Sequence, residues 1–517
     1  MLVNVHDHHL PFAADDHILF HFDSAQKYGP EVWQCFENVA FTGGIGAGKT
    51  LFAEQTWIKG MFDAGFAMLG ACPKPLTSEQ ITGWARDRGR EQDVIVVNAD
   101  GKTMFPILSW LATGTKGRQG VVRVAVDFLK ETGEVSERGR MTDAGGENRF
   151  FNQMSDRINH AVMTVDLAAN DGISAERCLR MIQTVDESRP RVQEYDDEKN
   201  PKPREINCQE HCQNALAKCK DEEVGDVRRA VLFLIEELRN LEPRVKGNCI
   251  ISATTVWAGL GEYPLNKLFG EPAPGDEAIT PDLLEHGAII LINLPMSHGG
   301  SAKVAFVLWK LAVQKYLLGR PKGARPVTLY LGEGQNYVST SDFNFTAMCR
   351  ESRACYFLST QSINNLKSEI RDTNQVQALL ATINNRVYLN NTCPETNEWA
   401  SQDCGEEEVW EAGMSGRKRD WVPFPDEDIL NQPMQDASVS YSRKRKRKVP
   451  PEWFPGMQRG NRKDGLAEAI VRCVYPDGMQ IDRIFFDVNV GQRESSWWRR
   501  WLSRDDRYIA NLPRKGR

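Results

Sequence analysis

Eight residues, Gly43-Gly44-Ile45-Gly46-Ala47-Gly48-Lys49-Thr50, combine the types needed to hold a nucleoside triphosphate. Glycines let the backbone bend until several N–H groups point into one hollow. The start of a following helix adds a dipole that also favours an anion. Lys49 is placed to reach the outer phosphates, and Thr50 to set its hydroxyl on Mg²⁺. ATP and Mg²⁺ are therefore the expected cofactors. Such a loop holds a nucleotide without cutting it. Cutting needs a carboxylate that orients water and an acid that supports the metal. The apolar run 327–331 leads into Gly332-Glu333, which makes Glu333 the candidate water-orienting carboxylate. An acid is expected just before it, yet Gly332 offers neither charge nor a side-chain hydrogen bond. Either turnover is slow or another acid substitutes, and both remain open at this level.

The loop needs a strand before it and a helix after it. Val39-Ala40-Phe41 supplies the first, and 51–66, with apolar residues at helical spacing, supplies the second. A strand is expected at 18–22, and others at 67–72 and 94–97. From 113 to 246 the chain is charged and helix-like, with helices expected at 149–170, 174–187 and 227–241 and a loop at 189–204. The core resumes near Asn248, with strands at 288–294, 327–331, 355–358 and 386–389 and a helix at 304–318. Strands alternating with helices predict an α/β fold with a mainly parallel sheet. The expected division is an N-terminal segment (1–35), an α/β core domain in two parts (36–112 and 247–423) around an inserted all-α domain (113–246), and a linker with a small basic C-terminal region (424–517).

The length of 517 residues allows two or three domains, and the composition is that of an ordinary globular protein. No apolar run approaches the roughly 20 residues that cross a bilayer, and no signal peptide is evident. A cytoplasmic protein is expected, its twelve cysteines reduced and many of them buried. Cys208, His211, Cys212 and Cys219 lack the spacing of a zinc site and read as helix-surface residues. His6, Asp7, His8 and His9 read as a frayed terminus. The net charge of −6 hides an asymmetry: from Arg443 onward there are 19 basic and 9 acidic residues, about +10, against about −16 elsewhere. Arg443-Lys444-Arg445-Lys446-Arg447-Lys448 could meet DNA phosphates or anionic lipid at the membrane periphery, or serve as a solvated linker. Trp497, Trp498 and Trp501, interleaved with Arg499 and Arg500, could stack on single-stranded bases or cap the core.

An ordered set of motifs runs from Ile279-Thr280-Pro281 through 289–295 and 327–337. It continues with Arg350-Glu351-Ser352-Arg353, Ser359-Thr360-Gln361-Ser362 and 396–401. With the phosphate loop and Lys74-Pro75, this set resembles the conjugative coupling proteins of type IV secretion, the TraD/TraG family, within the HerA/FtsK group of DNA-translocating ATPases. The resemblance spans most of 36–405. It implies a RecA-like motor domain with an inserted all-helical domain, a homo-hexameric ring around DNA, and active sites completed by neighbouring subunits. It also implies secretion-system proteins as partners. By it, Arg350 is the arginine finger, with Arg353 as the other candidate, and Gln361 is the γ-phosphate sensor. Two departures stand out: Gly332 replaces the family's aspartate, and the membrane anchor of many members is not seen.

The expected function is thus an ATP-driven ring motor that translocates DNA or DNA–protein complexes. The alternative is a nucleotide-gated scaffold with weak hydrolysis that recruits an effector, for example in phage defence. A small-molecule kinase would need neither the Arg350/Gln361 spacing nor so long a chain.

Overall fold

The computed structural model describes residues 11–21, 29–114, 118–137, 147–189, 206–270, 277–370, 372–415, 438–460 and 466–487. The histidine-rich start, most of the 189–204 loop and the Trp497–Trp501 cluster lie outside them. The strands, in chain order, are β1 (Val39–Thr42), β2 (Ala67–Ala71), β3 (Val94–Asn98), β4 (Thr103–Met104), β5 (Glu277–Ala278), β6 (Ile289–Asn293) and β7 (Val327–Leu331). After them come β8 (Ala354–Thr360), β9 (Asn385–Leu389), β10 (Glu406–Ser415), β11 (Ser438–Arg447), β12 (Leu466–Tyr475) and β13 (Gly478–Asp487).

Nine of these form one sheet in the order β13-β12-β9-β1-β8-β7-β2-β6-β3. The seven strands from β9 to β3 are all parallel, and β12 and β13 add an antiparallel hairpin beyond β9. Apolar runs such as Ile289-Ile290-Leu291-Ile292 suit strands covered on both faces, and β1, β2, β7, β8 and β9 are buried along their whole length. Strand alternation divides the core. Val327, Leu329 and Leu331 of β7 share one cluster with the inserted helices, whereas Tyr330 faces Phe52, Trp57, Met61 and Phe62 of the helix after the phosphate loop. By the same period, position 332 falls on Tyr330's side.

The α/β fold with a mainly parallel sheet is as expected; several details differ. Of the expected 18–22 strand, the described residues 18–21 form a single bridge, Ile18 to Glu31, because Pro30 has no N–H to extend a ladder. The helix following the loop is covered on both faces: Thr56 to Phe62 are all buried, enclosed between the sheet and neighbouring segments. Helices continue past residue 246 through Pro243–Gly261 and Leu265–Phe269, so the sheet is rejoined only at β6. Cys208, His211 and Cys212 are buried in the helical core rather than lying on its surface. All twelve cysteines are free thiols, ten of them buried. Residues 466–487 extend the main nine-stranded sheet and are not a separate tail. Among the described residues, no helix is long and apolar enough to cross a membrane.

Candidate functional site

The sheet order puts β1 between β8 and β9, whose chain connections leave in different directions. Ligands bind outside the carboxyl ends of parallel strands at such a crevice. Five strand ends meet here: β1 gives the phosphate loop, β7 gives Glu333, β8 gives Thr360 and Gln361, β9 leads to Asn390 and Asn391, and the turn after β2 gives Lys74.

The loop itself depends on two left-handed glycines, Gly46 (φ +73°) and Gly48 (φ +90°). A Cβ on Gly46 would meet nothing within 4 Å, so the loop is open on that side. On Gly48 it would strike Ala467 at 2.7 Å, because the C-terminal segment packs behind the loop. Gly460 N–H donates to the Ala47 carbonyl at 3.3 Å. The helix starts immediately, with a π turn at Lys49–Glu54 that continues as α-helix Gln55–Asp63, so its amino end faces the hollow. Lys49 Nζ donates to the carbonyls of Gly43 (3.4 Å) and Thr360 (3.0 Å), lying across the mouth of the loop. Burial lowers its pKa, opposed by the carboxylates of Glu54 and Glu333.

Glu333 sits at φ +56°, an unusual conformation for a residue with a side chain and one that recurs at functional sites. A Cβ on the following Gly334 would lie 2.3 Å from the Leu358 side chain, which would have to shift to admit it. The carboxylate of Glu333 accepts from Lys74 Nζ (2.7 Å), Gln335 Nε2 (3.1 Å) and Gln361 Nε2 (3.1 Å). Burial pushes its pKa up, but the hydrogen bond from Lys74 and the charge of Lys49 outweigh this. The net shift is downward, and the group is a carboxylate at neutral pH. Lys49, Glu333 and Gln361 are thus brought together, with Thr50 one residue along the helix. Lys74 and Gln335 were not singled out as site residues from sequence; the Lys74-Pro75 pair was the only hint.

The oxygen donors of Thr50 and Glu333 and the open anion hollow suit a hard Mg²⁺ carried on nucleotide phosphates. Thr50 would hold the metal, which would neutralise phosphate charge when bound. Among the described residues, no group of three or more His, Cys, Asp or Glu forms a protein-only metal cage.

Arg350 is not at this site. It precedes β8, at the amino-terminal ends of the strands, about 20 Å from Thr360 at ~3.3 Å per strand residue. Its side chain is 66% exposed and pairs with Glu37 at 2.5 Å. Arg353 differs: it is 13% exposed, paired with Asp15 at 2.6 Å, and stacked near Phe12 and Phe36. Those contacts hold Arg353 within its own chain.

Gly332 is crowded by its own strand. A Cβ there would lie 3.1 Å from both the hydroxyl oxygen and the Cε1 of Tyr330. Gly332→Asp alone is therefore expected to lose about 1–2 kcal/mol of stability by overpacking and to gain no turnover. Thermal unfolding and steady-state hydrolysis of the variant check both.

The basic block is not a free tail. Arg443 to Arg447 belong to β11, paired antiparallel with the acidic β10 in the register Glu406 to Arg447 and Glu408 to Arg445. Lys444 and Lys446 both pair with Glu411 and hold its carboxyl down at about 2, while Arg443 and Arg445 approach Glu408. Arg447 pairs with Glu398 at 2.6 Å. Replacing Lys444 and Lys446 by alanine is expected to change DNA affinity by less than about threefold, because these charges are already compensated. Fluorescence anisotropy over a salt series checks this.

The fold is a mainly parallel α/β sheet of the RecA-like P-loop type, with a phosphate-loop motif at the carboxyl end of β1. Residues 326–456 match a family model described as the TraM recognition site of TraD and TraG, and over that stretch the chain is similar to those coupling proteins. Solved structures agree on the fold. An unbound bacterial conjugative coupling protein, TrwBdeltaN70, matches with a TM-score of 0.57 at 15% identity, over 89% of this chain and 88% of that one. Plasmid coupling protein TrwB with a non-hydrolysable GTP analogue gives 0.58 at 15% identity, over 92% and 90%. TrwB with ADP and Mg²⁺ gives 0.57 at 14% identity, over 94% and 91%. No curated protein matches the sequence.

Proposed function

We propose that this chain is an ATP-driven, ring-forming motor that moves DNA or a DNA–protein complex, acting as a coupling ATPase of a type IV secretion system. The observation that carries the reading is the division of the catalytic set. Lys49, Thr50, Glu333 and Gln361 gather at the carboxyl ends of the strands, and Arg350 stands exposed at the amino ends. One chain alone cannot close its own site, whereas a head-to-tail ring brings each Arg350 to a neighbour's phosphates. In that ring Lys49 and Thr50 bind ATP and Mg²⁺, Glu333 orients water, Gln361 senses the γ-phosphate and Arg350 stabilises developing charge. The relatives crystallised with ADP and Mg²⁺ or with nucleotide analogues, and the family's description as a TraM recognition site, support a nucleotide-driven protein with a secretion partner.

A nucleotide-gated scaffold is the second reading, favoured by one observation. The Lys74 ammonium is bonded to Glu333, the carboxylate that hydrolysis requires. Mass photometry with ATP and with single- or double-stranded DNA tests the main reading. Nucleotide-dependent rings that shift in mass with DNA are expected. A monomer under every condition overturns it.

A further inference from the structure

Glu54 is an acid that the roles above do not use. It lies on the phosphate-loop helix with no exposed surface, and both its oxygens are engaged. Oε2 accepts from the Tyr330 hydroxyl at 2.8 Å and Oε1 from the Ser359 hydroxyl at 2.5 Å. Burying a carboxylate with only neutral donors costs several kcal/mol, so packing alone favours a neutral residue here. The π turn accounts for its position. With hydrogen bonds five residues apart, Glu54 falls beneath Lys49 and four residues beyond Thr50. Its charge is the chief one supporting the Lys49 ammonium against burial. On the other side, Tyr330 shares a face with position 332, and its hydroxyl oxygen lies 3.1 Å from where a side chain at 332 would begin. The Glu54 carboxylate, one hydrogen bond from that hydroxyl, therefore stands beside the place left vacant by the missing strand-end acid.

We propose that Glu54 is the relocated acid of this nucleotide site. It is carried on the phosphate-loop helix instead of β7, reaches the end of β7 through Tyr330, and supplies the negative charge that Gly332 lacks. It is a positioning residue, acting through Lys49 and Tyr330 and not by touching the nucleotide. The inference rests on the nucleotide-motor reading above.

The test uses the full chain and a fluorescent ADP analogue, titrated with Mg²⁺ or with EDTA. The parent protein binds more tightly with Mg²⁺. Glu54→Gln is expected to cut that Mg²⁺ gain by about tenfold, the scale of a charge-assisted contact. Its affinity in EDTA should change by less than about threefold, because the phosphates lose a repelling charge while Lys49 loses a supporting one. Tyr330→Phe keeps the ring and should cut the gain by about threefold, the scale of a neutral hydrogen bond. Equal weakening in both arms marks a merely structural Glu54 and overturns the proposal, as does a full Mg²⁺ gain in Glu54→Gln. Should that variant not fold, an unchanged gain in Tyr330→Phe overturns it. A parent protein that binds ADP without any Mg²⁺ gain sinks only this inference. One that binds no ADP in either arm sinks the nucleotide reading as well.

Discussion

Arg350→Ala is expected to bind ATP as the parent does and to lose turnover by about a thousandfold, the lower end for an arginine finger. The reason is geometric. The residue precedes β8 and the phosphate site follows it, so a seven-residue strand separates them. The side chain is mostly exposed and its one ion pair, with Glu37, lies at the surface edge of the sheet. Removing it should leave the fold intact, since exposed pairs contribute roughly 0–1 kcal/mol. A sharper result comes from mixing. Lys49→Ala and Arg350→Ala chains are each inactive, yet about a quarter of the interfaces in a randomly mixed head-to-tail ring join an intact Lys49 to an intact Arg350. Hydrolysis should therefore return to a substantial fraction of the parent rate on mixing. No recovery, with assembly verified, means that Arg350 does not act across an interface.

Glu333→Gln is expected to slow hydrolysis by roughly 10²–10⁴-fold, the range for losing a positioned acid–base group. Nucleotide affinity should hold or rise. The substitution removes a negative charge near the phosphates and releases Lys74 from its 2.7 Å ion pair, leaving an ammonium free to face them. Single-turnover hydrolysis and nucleotide titration separate the two effects. If Glu333 only shaped the turn, the amide would preserve its hydrogen bonds to Lys74's neighbourhood poorly but leave the rate within a few fold.

The residues of this site differ in how far sequence alone exposes them. The phosphate loop is legible because its chemistry is local: eight consecutive residues bend one turn and start one helix. Glu333 and Gln361 are legible because each ends a short apolar run, and parallel sheets put strand ends together. The choice between Arg350 and Arg353 was not legible. Both are arginines three residues apart, and only the packing of Arg353 against Phe12, Phe36 and Asp15 distinguishes them. The Glu54–Tyr330 bond was hidden for a similar reason, since its partners are 276 residues apart. The basic block misled because charge runs read as solvated tails, while the complementary Glu406-Glu407-Glu408 run lies more than 30 residues upstream and pairs with it only through the β10–β11 ribbon. Nothing local in the hairpin β12–β13 says that Ala469 to Arg472 pair with β9 and so join the main sheet.

The most direct test of the central claim is steady-state ATP hydrolysis by the full chain, with and without DNA, compared with Lys49→Ala. Hydrolysis that rises with DNA and falls to background in Lys49→Ala is predicted. Hydrolysis that persists in Lys49→Ala at the parent's rate contradicts the account.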